Sequence, residues 1–287
     1  MRVKRRPELP VFSEPGVCDA HVHVVGPAER FPLVEGASGH FPKEALTEMY
    51  QRLGIDRSVL VQSARHGTDN AAIEDAIRTS GGRFLGVAVV DVGVADGELA
   101  RLAAAGIRGV RFNFMRHVHS AARIEDVIAL TPRLARFGLH LQVHFESHLV
   151  HTLGPHLQRA EVPVVIDHMG RVDASLGAAH EDFAALVRLL GDERFRVKVS
   201  GIDRIDRQPP YAAGVALARQ LVSSFPSRCF WGTDWPHLNH HHAPDDAALA
   251  ELTSAIASDP EHHHQLLVSN PASFYRFEPL TPSRGNP

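Results

Sequence analysis

The sequence predicts an α/β protein, a (β/α)8 TIM barrel built as a single domain. Three observations predict it. Eight short apolar runs alternate with helical patterns from one end of the 287-residue chain to the other, as parallel βα units require. Most of these runs are nearly continuous in apolar residues, as strands covered on both faces are. No glycine-rich turn follows the first run, where Val24-Val25-Gly26-Pro27 stands; an open dinucleotide-binding sheet would want one there.

The elements follow in order. A first strand is expected over 17–25, then a helix over 43–53, introduced by Pro42 and stopped by Gly54, the usual asymmetry of helix ends. A second strand, 58–64, leads to a helix over 70–80, with Asp69 as candidate N-cap and Gly81-Gly82 as the stop. The third strand, 84–91, precedes a helix over 98–105 that ends at Gly106. The fourth, 107–114, precedes a helix over 124–137, which Pro132 should kink or split. Strands over 140–145, 162–169, 196–201 and 229–235 are each followed by a helical pattern, over 148–159, 181–190, 212–224 and 246–258. A last helix, 261–268, precedes a tail containing Pro, Ser and Gly. The expected division is an N-terminal extension over 1–16, the barrel over 17–278 and a loose tail over 279–287.

Composition excludes several classes of function. A net charge of −3, from 30 basic and 33 acidic residues, leaves no nucleic-acid footprint. No stretch approaches the roughly 20 apolar residues of a membrane span. The basic start, Met1-Arg2-Val3-Lys4-Arg5-Arg6, lacks the roughly 7–15 apolar residues of a signal peptide. Two cysteines, Cys18 and Cys229, are too few for a disulfide framework and point to a reducing cytoplasm. The outlier is histidine, with 20 residues.

In a barrel of this kind function collects where the strands end. His21 and His23 close the first strand and share a face, because strand side chains alternate. That spacing suits one metal ion or one substrate oxygen. The fourth strand ends in Arg111 and Asn113, with Arg116 and His117 just beyond; the fifth carries His144 and Glu146. The sixth ends in Asp167-His168, followed by Arg171; the seventh leads to Ser200, Asp203 and Arg204. The eighth ends in Asp234. Any one of these alone reads as a capping or hydrogen-bonded residue. Together, histidines from strands one, five and six and an aspartate from strand eight converge on one mouth.

Asp19-Ala20-His21-Val22-His23, His168-Met169-Gly170-Arg171 and Trp231-Gly232-Thr233-Asp234-Trp235-Pro236-His237 resemble the amidohydrolase superfamily. With Gly109-Val110-Arg111-Phe112-Asn113-Phe114 and Leu267-Val268-Ser269-Asn270-Pro271 they look most like its 2-pyrone-4,6-dicarboxylate lactonase branch, over about residues 18–275. The resemblance implies that His21, His23 and His168 surround a lactone carbonyl oxygen and that Asp234 takes a proton from water. It implies that Arg111, Arg116 or His117, Arg171 and Arg204 hold substrate carboxylates. His40 stands nearest to where that branch has a loop tyrosine. For Arg171 and Arg204 the structural alternative is an ion pair with Asp173, Asp203 or Asp206.

That branch works without a metal and has a tyrosine about where His144 lies. The wider superfamily binds metal through the strand-one pair, a strand-five histidine and the strand-eight aspartate, here His21, His23, His144 and Asp234. Three imidazoles, a carboxylate and an open position suit one divalent ion, zinc first. A metal-free mechanism, with His144 as a hydrogen-bond donor to substrate, is the alternative. Arg111 and Asn113 stand where a second metal would want a bridging Lys or Glu.

Among functions, a lactone hydrolase with a small anionic substrate fits the arginines best. A metal-dependent decarboxylase on the same fold is the alternative, followed by a non-catalytic metal-binding protein. His240-His241-His242 lies near the mouth, and His262-His263-His264 reads as a solvated face. Neither run has the spacing of a defined ligand set.

Overall fold

The computed structural model describes residues 10–116, 122–240 and 244–280. Eight strands, β1 (Cys18–Val22), β2 (Arg57–Val61), β3 (Phe84–Ala88), β4 (Ile107–Phe114), β5 (His140–Phe145), β6 (Val164–Ile166), β7 (Phe195–Ser200) and β8 (Cys229–Gly232), pair in parallel and in chain order. All eight expected strands are present. Those expected over 17–25, 58–64, 84–91, 162–169 and 229–235 each end three residues early, at Val22, Val61, Ala88, Ile166 and Gly232, and the residues just past the first, sixth and eighth build the mouth.

The first and last strands meet and close the barrel. The Asp234 amide donates to His21 O and the His23 amide to Trp235 O, both at 2.8 Å. The Thr233 amide and hydroxyl donate to the Asp19 carboxylate at 3.0 and 2.6 Å. Gly232 permits this approach, since a Cβ there would lie 2.7 Å from the His21 nitrogen.

Helices α1 (Lys43–Leu53), α2 (Ala71–Thr79), α3 (Asp96–Ala104), α4 (Ile124–Arg136), α5 (Val150–Leu157) and α6 (Glu181–Leu190) fill the first six connections. The expected break in α4 is absent. Pro132 has no N–H for the Ile128 carbonyl, and the Thr131 hydroxyl donates to that carbonyl instead, at 2.8 Å. After β7 a short helix, α7 (Ile202–Ile205), precedes α8 (Ala212–Ser224). The chain ends in α9 (Asp246–Ile256), α10 (Pro260–His264), a wide turn (Gln265–Ser269) and α11 (Asn270–Tyr275), so the last helical region runs past the expected 268. The Asn270 side chain anchors it by donating to Pro226 O and Cys229 O at 2.7 and 3.0 Å. Before β1, Phe12 is buried edge-on to Trp231 at 5.3 Å.

The main core lies between strands and helices. A second cluster, including Cys18, Val59, Leu85, Val165, Phe230 and Tyr275, belongs to the opposite faces of the strands, inside the barrel. On β4, β5 and β7 the inward positions turn polar, with Arg111, Asn113, Gln142, His144, Lys198 and Ser200 all buried. No described helix is long and apolar enough to cross a membrane.

Candidate active site

His21 and His23 project from the end of β1 and stand edge to face, ring centroids 5.1 Å apart. His168 reaches the same place by a different route. His168, Met169, Gly170 and Arg171 all have positive φ, 49°, 52°, 63° and 56°. This left-handed turn costs about 1–2 kcal/mol for each residue other than glycine. It swings His168 against His21, centroids 4.4 Å apart, and carries Arg171 to the rim. Gly201 makes room, since a Cβ there would sit 2.9 Å from His168 Nδ1. Asp234 is also left-handed, φ 65°, which turns its carboxylate back over the barrel axis.

The result is a nitrogen shell around one carboxylate oxygen. Nε2 of His21, His23 and His168 lies 3.7, 3.6 and 3.7 Å from Asp234 Oδ1. These gaps are too long for hydrogen bonds. They are close to the ~3.3–3.6 Å edges of a tetrahedron of ligands about 2.0–2.2 Å from one ion.

The far side of two of the rings sets the tautomer. His23 Nδ1 sits 2.8 Å from Val61 O, so it must donate. His21 Nδ1 sits 3.3 Å from Asp167 Oδ1, closer than its Nε2 sits to Asp234 Oδ1 at 3.7 Å, so the nearer carboxylate favours the proton on Nδ1. Burial lowers the pKa of the His21 ring to about 3 and lowers that of His168 well below the usual histidine value. With Nδ1 protonated, His21 and His23 turn Nε2 lone pairs towards Asp234, while His168 Nδ1 lies 2.9 Å from the Ser200 hydroxyl. His21 Nε2 and Asp234 Oδ1 are buried with no hydrogen-bond partner among the described residues. A set of acceptors around an unsatisfied anion fits a divalent cation.

His21, His168 and Asp234 are the ligand-capable residues that come together, with His23 facing the same oxygen. His144, expected as a ligand, stands one ring farther out, its centroid 5.2 Å from that of His168. Its Nδ1 donates to Asn113 Oδ1 at 3.0 Å, so Nε2 presents a lone pair rather than the donor hydrogen expected for a metal-free role. His168 takes the place foreseen for His144, because the left-handed turn after β6 pushes it inward.

The arginines divide into different roles. Arg204 Nε is held on Asp234 Oδ2, and its Nη2 donates to Leu238 O at 3.0 Å. Neither a free carboxylate clamp nor a pair with Asp173, Asp203 or Asp206 describes it. Asp173 caps Ser175, Asp206 accepts from Ala213 and Gly214, and Asp203 faces His240 Nε2 at 2.9 Å. Burial works against the charge on Asp234, but Arg204 and the neighbouring histidines hold its carboxyl well below the usual range. Arg171 makes no hydrogen bond or ion pair among the described residues. Burial and then the nearby Arg204 lower its pKa.

Arg111 Nε donates to Asp167 Oδ2 at 2.8 Å, and its side chain lines the mouth. Arg116 is 82 % exposed, pairs with Glu146 at 3.2 Å and does not line the cavity. His40 faces a separate cavity of about 360 Å³ with Phe31, Lys43 and Asp75. His117, His241 and His242 lie outside the described residues. His240 is buried against Asp203 rather than free at the mouth. The expected solvated face over 262–264 is half-buried, with His264 Nδ1 2.5 Å from Glu14 Oε1.

The mouth cavity is small, about 70 Å³, and shares Arg171 and Arg204 with an adjoining cleft of about 490 Å³. Sequence reasoning missed Lys198, which is fully buried on β7 with Nζ 3.9 Å from Asp167 Oδ1. Burial lowers its pKa to about 8. The readable signal was polar residues at every second position of an otherwise apolar strand.

A family model described as amidohydrolase matches residues 18–277. The chain belongs to the amidohydrolase family. It is 36% identical over 285 residues to a 2-pyrone-4,6-dicarboxylate hydrolase of Comamonas testosteroni, covering 94% of this chain and 93% of that protein. It is 35% identical over 273 residues to a 4-sulfomuconolactone hydrolase of Hydrogenophaga intermedia, covering 91% and 89%. A solved structure of a probable 2-pyrone-4,6-dicarboxylic acid hydrolase from Acinetobacter baumannii, with citric acid bound, superimposes with a TM-score of 0.81 at 26% identity, covering 91% of this chain and 100% of that one. The amidohydrolase family thus places the matched segment from the start of β1 to just past α11.

Proposed function

We propose that this amidohydrolase opens a carboxylated or sulfonated lactone by water attack on the ring carbonyl. The observation that carries the reading is the set of three Nε2 atoms, 3.6–3.7 Å from one oxygen of Asp234, beside Arg171, which has no partner among the described residues. The relatives named as lactone hydrolases support it; none of them supports the decarboxylase alternative.

Arg171 and the fork of Arg111 take the anionic groups of the substrate in charge-assisted, planar contacts. Binding there places the ring ester over the histidines. Asp234 accepts the proton of the attacking water on Oδ1 while Arg204 keeps Oδ2, and so the direction of the carboxylate, fixed. The same proton goes to the leaving ring oxygen when the acyl–oxygen bond breaks. A divalent ion, which we take to be zinc, fits His21, His23, His168 and Asp234 and supplies a Lewis acid for the carbonyl and a lower water pKa. A setting in aromatic-compound breakdown follows from a pyrone-like substrate. The two free, buried thiols, Cys18 and Cys229, suit a reducing cytoplasm.

The test uses 2-pyrone-4,6-dicarboxylate and 4-sulfomuconolactone with the protein as purified and after chelation, with metal content measured by mass spectrometry. Ring opening without carbon dioxide, lost with zinc and restored by it, is the expected result. Carbon dioxide release would replace the hydrolase reading, and full activity in verified metal-free protein would remove the zinc.

A further inference from the structure

We propose that Asp167, which lines no part of the mouth, is the positioning residue that sets both ends of the site. One carboxylate oxygen fixes the tautomer of His21 and the other fixes the direction of Arg111. The inference rests on the lactone-hydrolase reading for its kinetic consequences but not for its structural ones.

The placement is unusual for a strand end. Asp167 is fully buried and immediately precedes His168. In a continuing strand two consecutive side chains would face opposite ways. The left-handed turn that starts at His168 (φ 49°) cancels the alternation. Asp167 therefore approaches the centre from below while His168 approaches it from the mouth.

Each oxygen has its own task. Oδ1 is 3.3 Å from His21 Nδ1 and 3.9 Å from Lys198 Nζ. Oδ2 accepts from Arg111 Nε at 2.8 Å. The Arg111 Nη atoms make no other hydrogen bond among the described residues, and the side chain lines the cavity. Fixing Nε thus presents the planar fork to a substrate anion. An anionic oxygen 3.3 Å from Nδ1 favours the His21 proton on that nitrogen, which leaves Nε2 as a lone pair facing the Asp234 oxygen 3.7 Å away. Carboxylate partners behind ligating histidines act in this way elsewhere, by orienting the ring and raising its basicity. Here one carboxylate also reaches the substrate-anchoring arginine, so carbonyl activation and anion binding share a support.

Asp167→Asn separates the two tasks. An asparagine can keep its oxygen on Arg111 Nε and must then turn its NH2 towards His21 Nδ1, which forces the proton to Nε2. The expected result is a kcat about 10- to 100-fold lower, with KM within twofold and citrate binding, measured by calorimetry, unchanged. Asp167→Ala should lower kcat and also weaken citrate binding at least fivefold. In the full-length wild type, 15N spectra of labelled histidine should show His21 protonated on Nδ1, both as purified and after chelation. The proposal is overturned if wild-type His21 carries its proton on Nε2, or if Asp167→Asn keeps kcat within twofold. The wild-type spectrum decides even if neither variant folds. Wild-type protein inactive on every lactone, yet with the Nδ1 tautomer and citrate binding in place, would sink the hydrolase reading and leave the role of Asp167 standing.

Discussion

Asp234 combines a strained backbone with a carboxylate held from several sides. Its φ of 65° is tolerated because the amide is tied to His21 O at 2.8 Å and Arg204 grips Oδ2. Asp234→Asn keeps the shape and removes the proton acceptor, so kcat should fall by about 10²–10⁴. Steady-state rates check this, and a variant retaining a tenth of wild-type turnover would rule out Asp234 as the base. Arg171 is a cation at the mouth with no hydrogen-bond or ion-pair partner among the described residues, so Arg171→Gln should act on substrate binding. A lost charge-assisted contact of about 1.5–3 kcal/mol raises KM some 10- to 150-fold with a smaller change in kcat. A fall in kcat at constant KM would contradict that role. The sequence made the His21–His23 pair and Asp234 legible, because strand alternation and strand ends are local properties. The partner of Arg204 was not legible: α7 lays Arg204 against β8, thirty residues later in the chain, and nothing in the spacing of Asp173, Asp203 and Asp206 shows that each is already engaged. That His168, rather than His144, lies against His21 was hidden for the same kind of reason, since a left-handed turn cannot be read from His168-Met169-Gly170-Arg171.

Helix packing around α2, away from the mouth, depends on Asp75. It accepts from Arg30 at 2.7 Å, Lys43 of α1 at 2.5 Å and Arg78 at 2.6 Å. Burial works against its charge, but the hydrogen bonds from Lys43 and Arg78 prevail and lower its pKa. A carboxyl whose folded pKa is depressed stabilises the fold above its unfolded value and stops doing so as pH falls through the folded one. Asp75→Asn should therefore destabilise at pH 7, by only about 1 kcal/mol because two of its three cationic partners, Arg30 and Arg78, are largely solvated. The gap between wild type and variant should be smaller at pH 3 than at pH 7, because pH 3 lies below the unfolded value. Urea midpoints at the two pH values check it, and an equal gap at both would refute the charge argument. At this scale the sequence was legible wherever a stop signal acted alone, as at Gly54 after α1. It misled where a neighbour compensated: Thr131 satisfies the carbonyl that Pro132 leaves free, and α4 continues.

Barrel closure joins segments from opposite ends of the chain, and the alternation of strands and helices predicted that closure without showing how it is made. The polar seam is Asp19 and Thr233, 214 positions apart. Its carboxylate accepts the Thr233 amide and hydroxyl, and the same hydroxyl accepts from the Trp235 amide at 3.1 Å. The seam also carries the chemistry, since His21 and His23 leave it on one side and Asp234 on the other. Thr233→Val keeps the volume but leaves the Trp235 amide and one buried carboxylate oxygen short of a partner. The cost should be about 2–3 kcal/mol, read as a lower denaturant midpoint at unchanged slope. A loss of stability remote from the mouth, as in Asp75→Asn, should leave the turnover of the folded fraction near wild type. In Thr233→Val turnover should fall as well, because the backbone that fixes the angle between Asp234 and the histidines loses a tie. Stability within 0.5 kcal/mol of wild type, or full turnover in the folded protein, would show that the backbone bonds between β1 and β8 hold the mouth without this pair.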